Sequence, residues 1–146
     1  MYERRSLGLQ EVRTAVEAVL AATTDSDKPT AVAVVDADGN LLCCARQDRA
    51  PSRMLRRACA KAYTAAVLGL DTVAFRDELR RTGRTLDDWG DSGLTTLRGG
   101  LVATADGHVV GAIACSGGTQ ARGEELAGVG LATLEAGDPP ARADGA

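Results

Sequence analysis

The sequence predicts an α+β domain, an antiparallel sheet flanked by helices in the order helix, hairpin, helix, hairpin, helix. Two apolar segments fold back through Asp-Gly turns, VVDADGNLL and ATADGHVVG, and hairpins force antiparallel pairing. Stretches at helical spacing lie before, between and after them. A doubly wound fold would need single strands alternating with helices, which this order is not.

Residues 6–22 place Leu9, Val12, Val16, Val19 and Leu20 at helical spacing, with Ser6 as the expected cap and Glu11 in the first turn. After the polar break TTDSDKPT, the unbroken apolar run AVAVV at 31–35 predicts a buried strand, DADGN its turn and LLCCAR its partner. Pro51 opens a helix over 51–69, because a first-turn residue does not need its N–H. Leu55, Cys59, Ala62 and Ala66 share one face of it, and Gly69 is the stop signal.

A short polar helix is expected at 72–82, and TGRTLDDWGDSGLTTLR reads as a loop in which Trp89 is either a lid or an anchor. GGLVATA, the turn Asp106-Gly107 and HVVGAIACS form the second hairpin. The last helix, 119–135, carries Ala127, Gly130, Leu131 and Leu134 on one face. One domain is expected over 1–135, followed by a disordered tail over 136–146.

With 146 residues the chain is long enough to bury a core, and with 3% aromatics that core must be Ala, Val and Leu. A net charge of -3 argues against a nucleic-acid surface. No apolar run reaches the roughly 20 residues of a membrane span. The N-terminus is amphipathic and lacks the apolar core of a signal peptide, so the expected location is cytoplasmic. Cys43, Cys44, Cys59 and Cys115 show no zinc spacing and read as reduced, small apolar residues.

The stretch Ser116-Gly117-Gly118-Thr119 joins a strand to a helix. Glycines there either turn a tight corner or leave N–H groups bare beside a helix N-terminus, a cradle for carboxylate or phosphate. Neither glycine-rich nucleotide-binding spacing occurs. Arg53, Arg57 and Lys61 fall at i, i+4 and i+8, with Arg56 beside them, either a solvated face or a stripe that meets an anion. Small neighbours in ACAKAYTAA let another element approach Lys61, which would then need a partner. Cys115 is the thiol nearest the cradle, and its reactivity would require a lowered pKa.

His108 follows a turn, and Ser116 lies about 26 Å further along an extended strand at roughly 3.3 Å per residue. A Ser/His/Asp or Cys/His set is therefore not expected. Asp36, Asp38, Asp87, Asp88 and Asp91 are accounted for by turn chemistry.

AVAVVDADGNLL, ARQDRAP, AKAYTAA and GGLV…DGHVVGAIACSGGT, in that order, closely resemble the GlcG/HbpS-like family, which includes the C-terminal domain of PduO-type proteins. The likeness runs from about residue 7 to residue 134. It implies a profilin-like fold, a homo-oligomer, and binding of heme or a related corrinoid-type tetrapyrrole. Carried over by position, the motif falls on Asp36, Gly39, Arg46, Asp48, Ala50 and Pro51, then on Lys61, Tyr63, Thr64, Gly99 and Gly100. It ends on Gly111, Ser116, Gly117 and Gly118. Gln47 stands where the family commonly has Met, and Gly123 where an Asp is frequent.

Histidines that some members offer to heme iron are missing; His108 is the one histidine of the chain. Cys43, Cys44, Cys59, Cys115, Tyr63 and Met54 are alternative donors among which the sequence does not choose. The resemblance and the residues together give a binding protein for heme or a related tetrapyrrole. Its expected ligand-binding set is Arg46, Arg53, Arg57, Lys61, Thr64, Gly99, Gly100, Ser116, Gly117 and Gly118. The alternative is a cofactor-independent enzyme of lyase or isomerase type acting on a small anionic metabolite, as in a secondary-metabolite pathway. Lys61, Tyr63 and Ser116 are its catalytic candidates.

Overall fold

The computed structural model describes residues 1–136. Its elements are α1 (Leu9–Ala22), β1 (Ala31–Asp36), β2 (Leu41–Arg46), α2 (Ser52–Leu68), α3 (Thr72–Thr82), a 3-10 turn (Leu86–Trp89), β3 (Gly100–Ala105), β4 (His108–Ser116) and α4 (Gln120–Ala136). The strands form one antiparallel sheet in the order β2-β1-β4-β3. The helix–hairpin order expected from the sequence is the observed one. Residues 137–146, which make up nearly all of the expected tail, lie outside the described residues, and Ala136 belongs to α4.

Side chains of a strand alternate between faces, and β1 uses both. Val32 and Val34 join Val12, Val16 and Val19 of α1 and Leu126 and Ala127 of α4 in one core layer. Ala31, Ala33 and Val35 face α2 on the other side, with Ala58, Ala62 and Ala65. That second layer is nearly all alanine, so α2 comes close to the sheet. Phe75 and Leu79 of α3 pack with Leu94 and Tyr63 in a satellite cluster beside it. Trp89 stands edge-on to Phe75 at 5.3 Å between ring centres and so anchors its loop.

Three local expectations need correction. Helix α1 starts at Leu9 with Gly8 before it, and Ser6 is not its cap. Ser6 Oγ instead donates to Val110 O and accepts the Ala37 N–H, while Leu7 N–H bonds Val110 O at 2.9 Å. Pairing to β4 keeps the chain extended past Ser6. Leu9, at the helix entry, is 59% exposed. The buried face of α2 runs through Met54, Ala58, Lys61, Ala62 and Ala65, so Leu55 and Cys59 are only half-buried, toward β2.

Among the described residues no single helix is long and apolar enough to cross a membrane. Gly69 terminates α2 in the left-handed conformation, at φ 66°, as its position suggested.

Candidate functional site

Strand β4 is the inner neighbour of β1 and delivers Ser116 to the end of the sheet opposite Ala31. Gly117 then passes so close to the β1 approach that a Cβ would lie 2.5 Å from Pro29 O and 2.8 Å from Thr30 Cα. Gly118 meets nothing within 4 Å and is exposed. Thr119 caps α4, its Oγ1 accepting the Arg122 N–H at 3.1 Å. The N–H groups of Gly118 and Thr119 find no acceptor among the described residues.

Across from this corner runs α2. A cavity of about 200 Å³ separates the two, with Arg53, Met54, Arg57 and Lys61 on one wall and Ser116, Gly117, Gly118, Thr119 and Gln120 on the other. Leu97 closes one side. Arg53 and Arg57 are exposed and make no hydrogen bond or ion pair among the described residues. Ser116 Oγ is buried and donates to Met54 Sδ at 3.5 Å.

Lys61 reaches the same corner from beneath. It is 3% exposed, and its Nζ donates to Cys115 O at 2.5 Å and to Arg98 O at 3.3 Å. Burial pushes its ammonium down to about 8, helped by the charge of Arg57. Arg98 is itself held by Glu124 through two bonds of 2.9 and 3.1 Å, and its N–H donates to Gln120 Oε1 at 3.0 Å. The strand end, the 97–99 loop and the first turns of α4 are thereby locked together around the lysine. Arg98 holds the Glu124 carboxyl below the usual range.

The structure thus brings together Arg53, Arg57, Lys61, Ser116, Gly117 and Gly118. It separates the others from the cavity. Tyr63 points away, donating to Asp91 Oδ2 at 2.7 Å and covering Gly39 and Gly93. Thr64 bonds Ala60 O and accepts the Thr95 N–H, a tie to the loop after α3. Gly99 and Gly100 are packing glycines: a Cβ on Gly100 would lie 2.4 Å from Lys61 O. Arg46 donates to Ala50 O at 2.6 Å and borders a different groove.

Cys115 faces the α1–α4 core layer, and burial pushes its thiol up to about 12, the opposite of an activated nucleophile. His108 is exposed at the far end of β4. Met54, Leu97, Thr119 and Gln120 complete the lining of the cavity. Met54 was legible as a member of the Arg53–Lys61 helix face, and Thr119 as a capping residue. Leu97 and Gln120 carry no sequence signal.

Larger hollows exist but suit an anion less well. One of about 410 Å³ lies under the N-terminal arm, where Arg4 and Arg5 already pair with Asp38 and Asp106. Another sets Arg46 among Asp25, Asp27 and Asp48.

The fold and sequence have close counterparts. A double mutant of HbpS from Streptomyces reticuli superposes with a TM-score of 0.83 at 30% identity, over 92% of this chain and 90% of that one. The Klebsiella pneumoniae protein ORFY gives 0.82 at 24% identity, over 92% and 94%. A PduOC:heme complex gives 0.78 at 23% identity, over 88% and 94%; the likeness of these last two is one of fold. No protein of curated function matches the chain. The sequence profile described as "Haem degrading protein HbpS-like" matches residues 7–132, nearly the whole described chain. The chain belongs to the HbpS-like family.

Proposed function

We propose that the chain is a small-molecule-binding protein whose cradle receives a ligand carboxylate, and that the ligand is heme or a related tetrapyrrole held by a propionate. One observation carries the carboxylate: two arginines without a partner among the described residues share a cavity with two main-chain N–H groups equally open among them. Arginine forks and converging amides are both donors to planar oxyanions. The tetrapyrrole comes from the family and from the PduOC:heme relative.

The fit to the group is partial. The donors suit a propionate. The cavity, about 200 Å³, is smaller than the ~300–1,000 Å³ of pockets that enclose drug-sized ligands, so the macrocycle cannot lie within it. Met54 is the one iron-competent side chain lining it, and its sulfur is taken by Ser116 Oγ. We place the protein in the cytoplasm as a homo-oligomer, in which a second copy extends the surface available to the ring.

Hemin titration tests the reading. A saturable, near-stoichiometric change in the Soret band, weakened in Arg53→Ala and Arg57→Ala, is the expected result. Absence of saturable binding sinks it, and light scattering checks the oligomer separately.

A second reading is favoured by Lys61. A buried lysine with a pKa near 8 at the wall of an anion-sized cavity suits an enzyme acting on a small carboxylate. Thermal-shift screening with small carboxylates and no heme discriminates the two.

A further inference from the structure

The chain has two lysines, Lys28 and Lys61. Lys28 is exposed, and Lys61 is 3% exposed at the wall of the cavity. The hydrogen-bond partners of Lys61 Nζ are two carbonyl oxygens, of Cys115 and Arg98; the nearby carboxylate of Glu124 is committed to Arg98. A buried ammonium with no carboxylate in contact is disfavoured, and Arg57 on the same helix face disfavours it further. A neutral amine fits these partners: it gives one N–H to each carbonyl and keeps its lone pair. Desolvation holds the group near 8, so a sizeable fraction is neutral close to physiological pH.

We propose that Lys61 is a nucleophilic amine that captures the carbonyl carbon of an α-keto acid whose carboxylate lies in the cradle. This rests on the carboxylate site argued above and adds the second functional group of its ligand. The Nζ lone pair forms the C–N bond as the carbonyl π pair moves to oxygen, which takes a proton. The nitrogen loses one proton, the protonated hydroxyl leaves as water, and an iminium remains. Amine, ketone and one proton thus yield iminium and water, with no change of oxidation state. The iminium keeps one N–H, available to Cys115 O. Arg53, Arg57 and the N–H groups of Gly118 and Thr119 hold the adjacent carboxylate and bring the carbonyl to the amine.

The test is reductive trapping on the intact protein with pyruvate and cyanoborohydride, followed by peptide mapping. A carboxyethyl group on Lys61 is expected in excess over Lys28 by about tenfold or more, because a docked carboxylate makes the capture effectively intramolecular. Acetone, which lacks the carboxylate, should label Lys61 no better than Lys28, and acetate should suppress labelling by pyruvate. Lys61→Arg should lose the adduct; the mapping within the wild-type protein decides the matter even if that variant does not fold. Equal labelling of both lysines, or none at Lys61, overturns the proposal. If acetate still stabilises the protein while Lys61 stays unlabelled, the carboxylate cradle stands and only the covalent step falls. If acetone labels Lys61 as well as pyruvate does, the cradle reading fails instead.

Discussion

Lys61 Nζ lies 2.5 Å from the carbonyl oxygen of Cys115, a bond that ties the middle of α2 to the end of β4. The same nitrogen contacts Arg98 O, and Arg98 grips Glu124 of α4. Helix α2, the Arg98 loop and the β4–α4 corner thus converge on one buried amine. The cavity beside it has its shape because these ties hold the strand-to-helix corner at a set distance from Arg53 and Arg57.

Burial of Lys61 makes folding stability depend on pH. Folded Lys61 releases its proton near 8, whereas the unfolded side chain holds it to 10.5. Between those values the unfolded state binds more protons, so stability rises with pH. The contribution is complete above 10.5 and is lost as pH falls through about 8. Wild type should therefore gain on Lys61→Met across that window, by at most about 3 kcal/mol. Buried Cys115 contributes with the opposite sign, since its thiol stays protonated to about 12, but both proteins carry it. Urea denaturation at a series of pH values measures the difference, and a constant gap would refute the assignment.

Arg53→Ala and Arg57→Ala remove exposed side chains that have no partner among the described residues. Stability should stay within about 0.5 kcal/mol of wild type. Carboxylate or hemin affinity should drop by about tenfold for each, the scale of one charge-assisted contact. Titration calorimetry reads both variants; unchanged affinity in both removes the arginines from the site.

The two cradle glycines should behave differently. A methyl on Gly117 meets Pro29 O and Thr30 Cα at 2.5 and 2.8 Å, so Gly117→Ala should lose about 1–3 kcal/mol. A methyl on Gly118 meets nothing within 4 Å, and Gly118→Ala should melt close to wild type. Thermal denaturation of the pair is the check. Equal melting temperatures would contradict the close approach at Gly117.

Tyr63→Phe removes the hydroxyl that donates to Asp91. About 1 kcal/mol of stability should go with it, and ligand affinity should not change, because Tyr63 does not line the cavity. Lost binding at intact stability would return Tyr63 to the site.

Local patterning made the element order readable: apolar runs interrupted by Asp-Gly turns, helical spacing, and Gly69 after α2. It failed where a long-range bond overruled a local preference. Ser6 has the chemistry of a cap, but pairing with β4 turns it to Val110. On α2, Ala58, Ala62 and Ala65 meet alanines of β1 and β4, which brings the helix close to the sheet, and Leu55 and Cys59 fall to the side of that contact, half-buried.

The site divides along the same line. Arg53, Arg57 and Lys61 at helical spacing, and Ser116-Gly117-Gly118 at the end of a strand, could be picked out because each signal is local. Thr64, Gly99, Gly100 and Tyr63 belong to the same family motif, but here they serve packing and loop attachment.

By itself, the order of residues determined the elements and their antiparallel pairing, since both follow from periodicity and turn chemistry within a few residues. Only the tertiary structure decided that the basic stripe faces the glycine corner and that Lys61 lies buried between two carbonyls. Those relations join positions far apart in the chain (Lys61 to Arg98, |i−j| of 37, and Lys61 to Cys115, |i−j| of 54), and no local pattern encodes which surfaces a packed sheet will bring together.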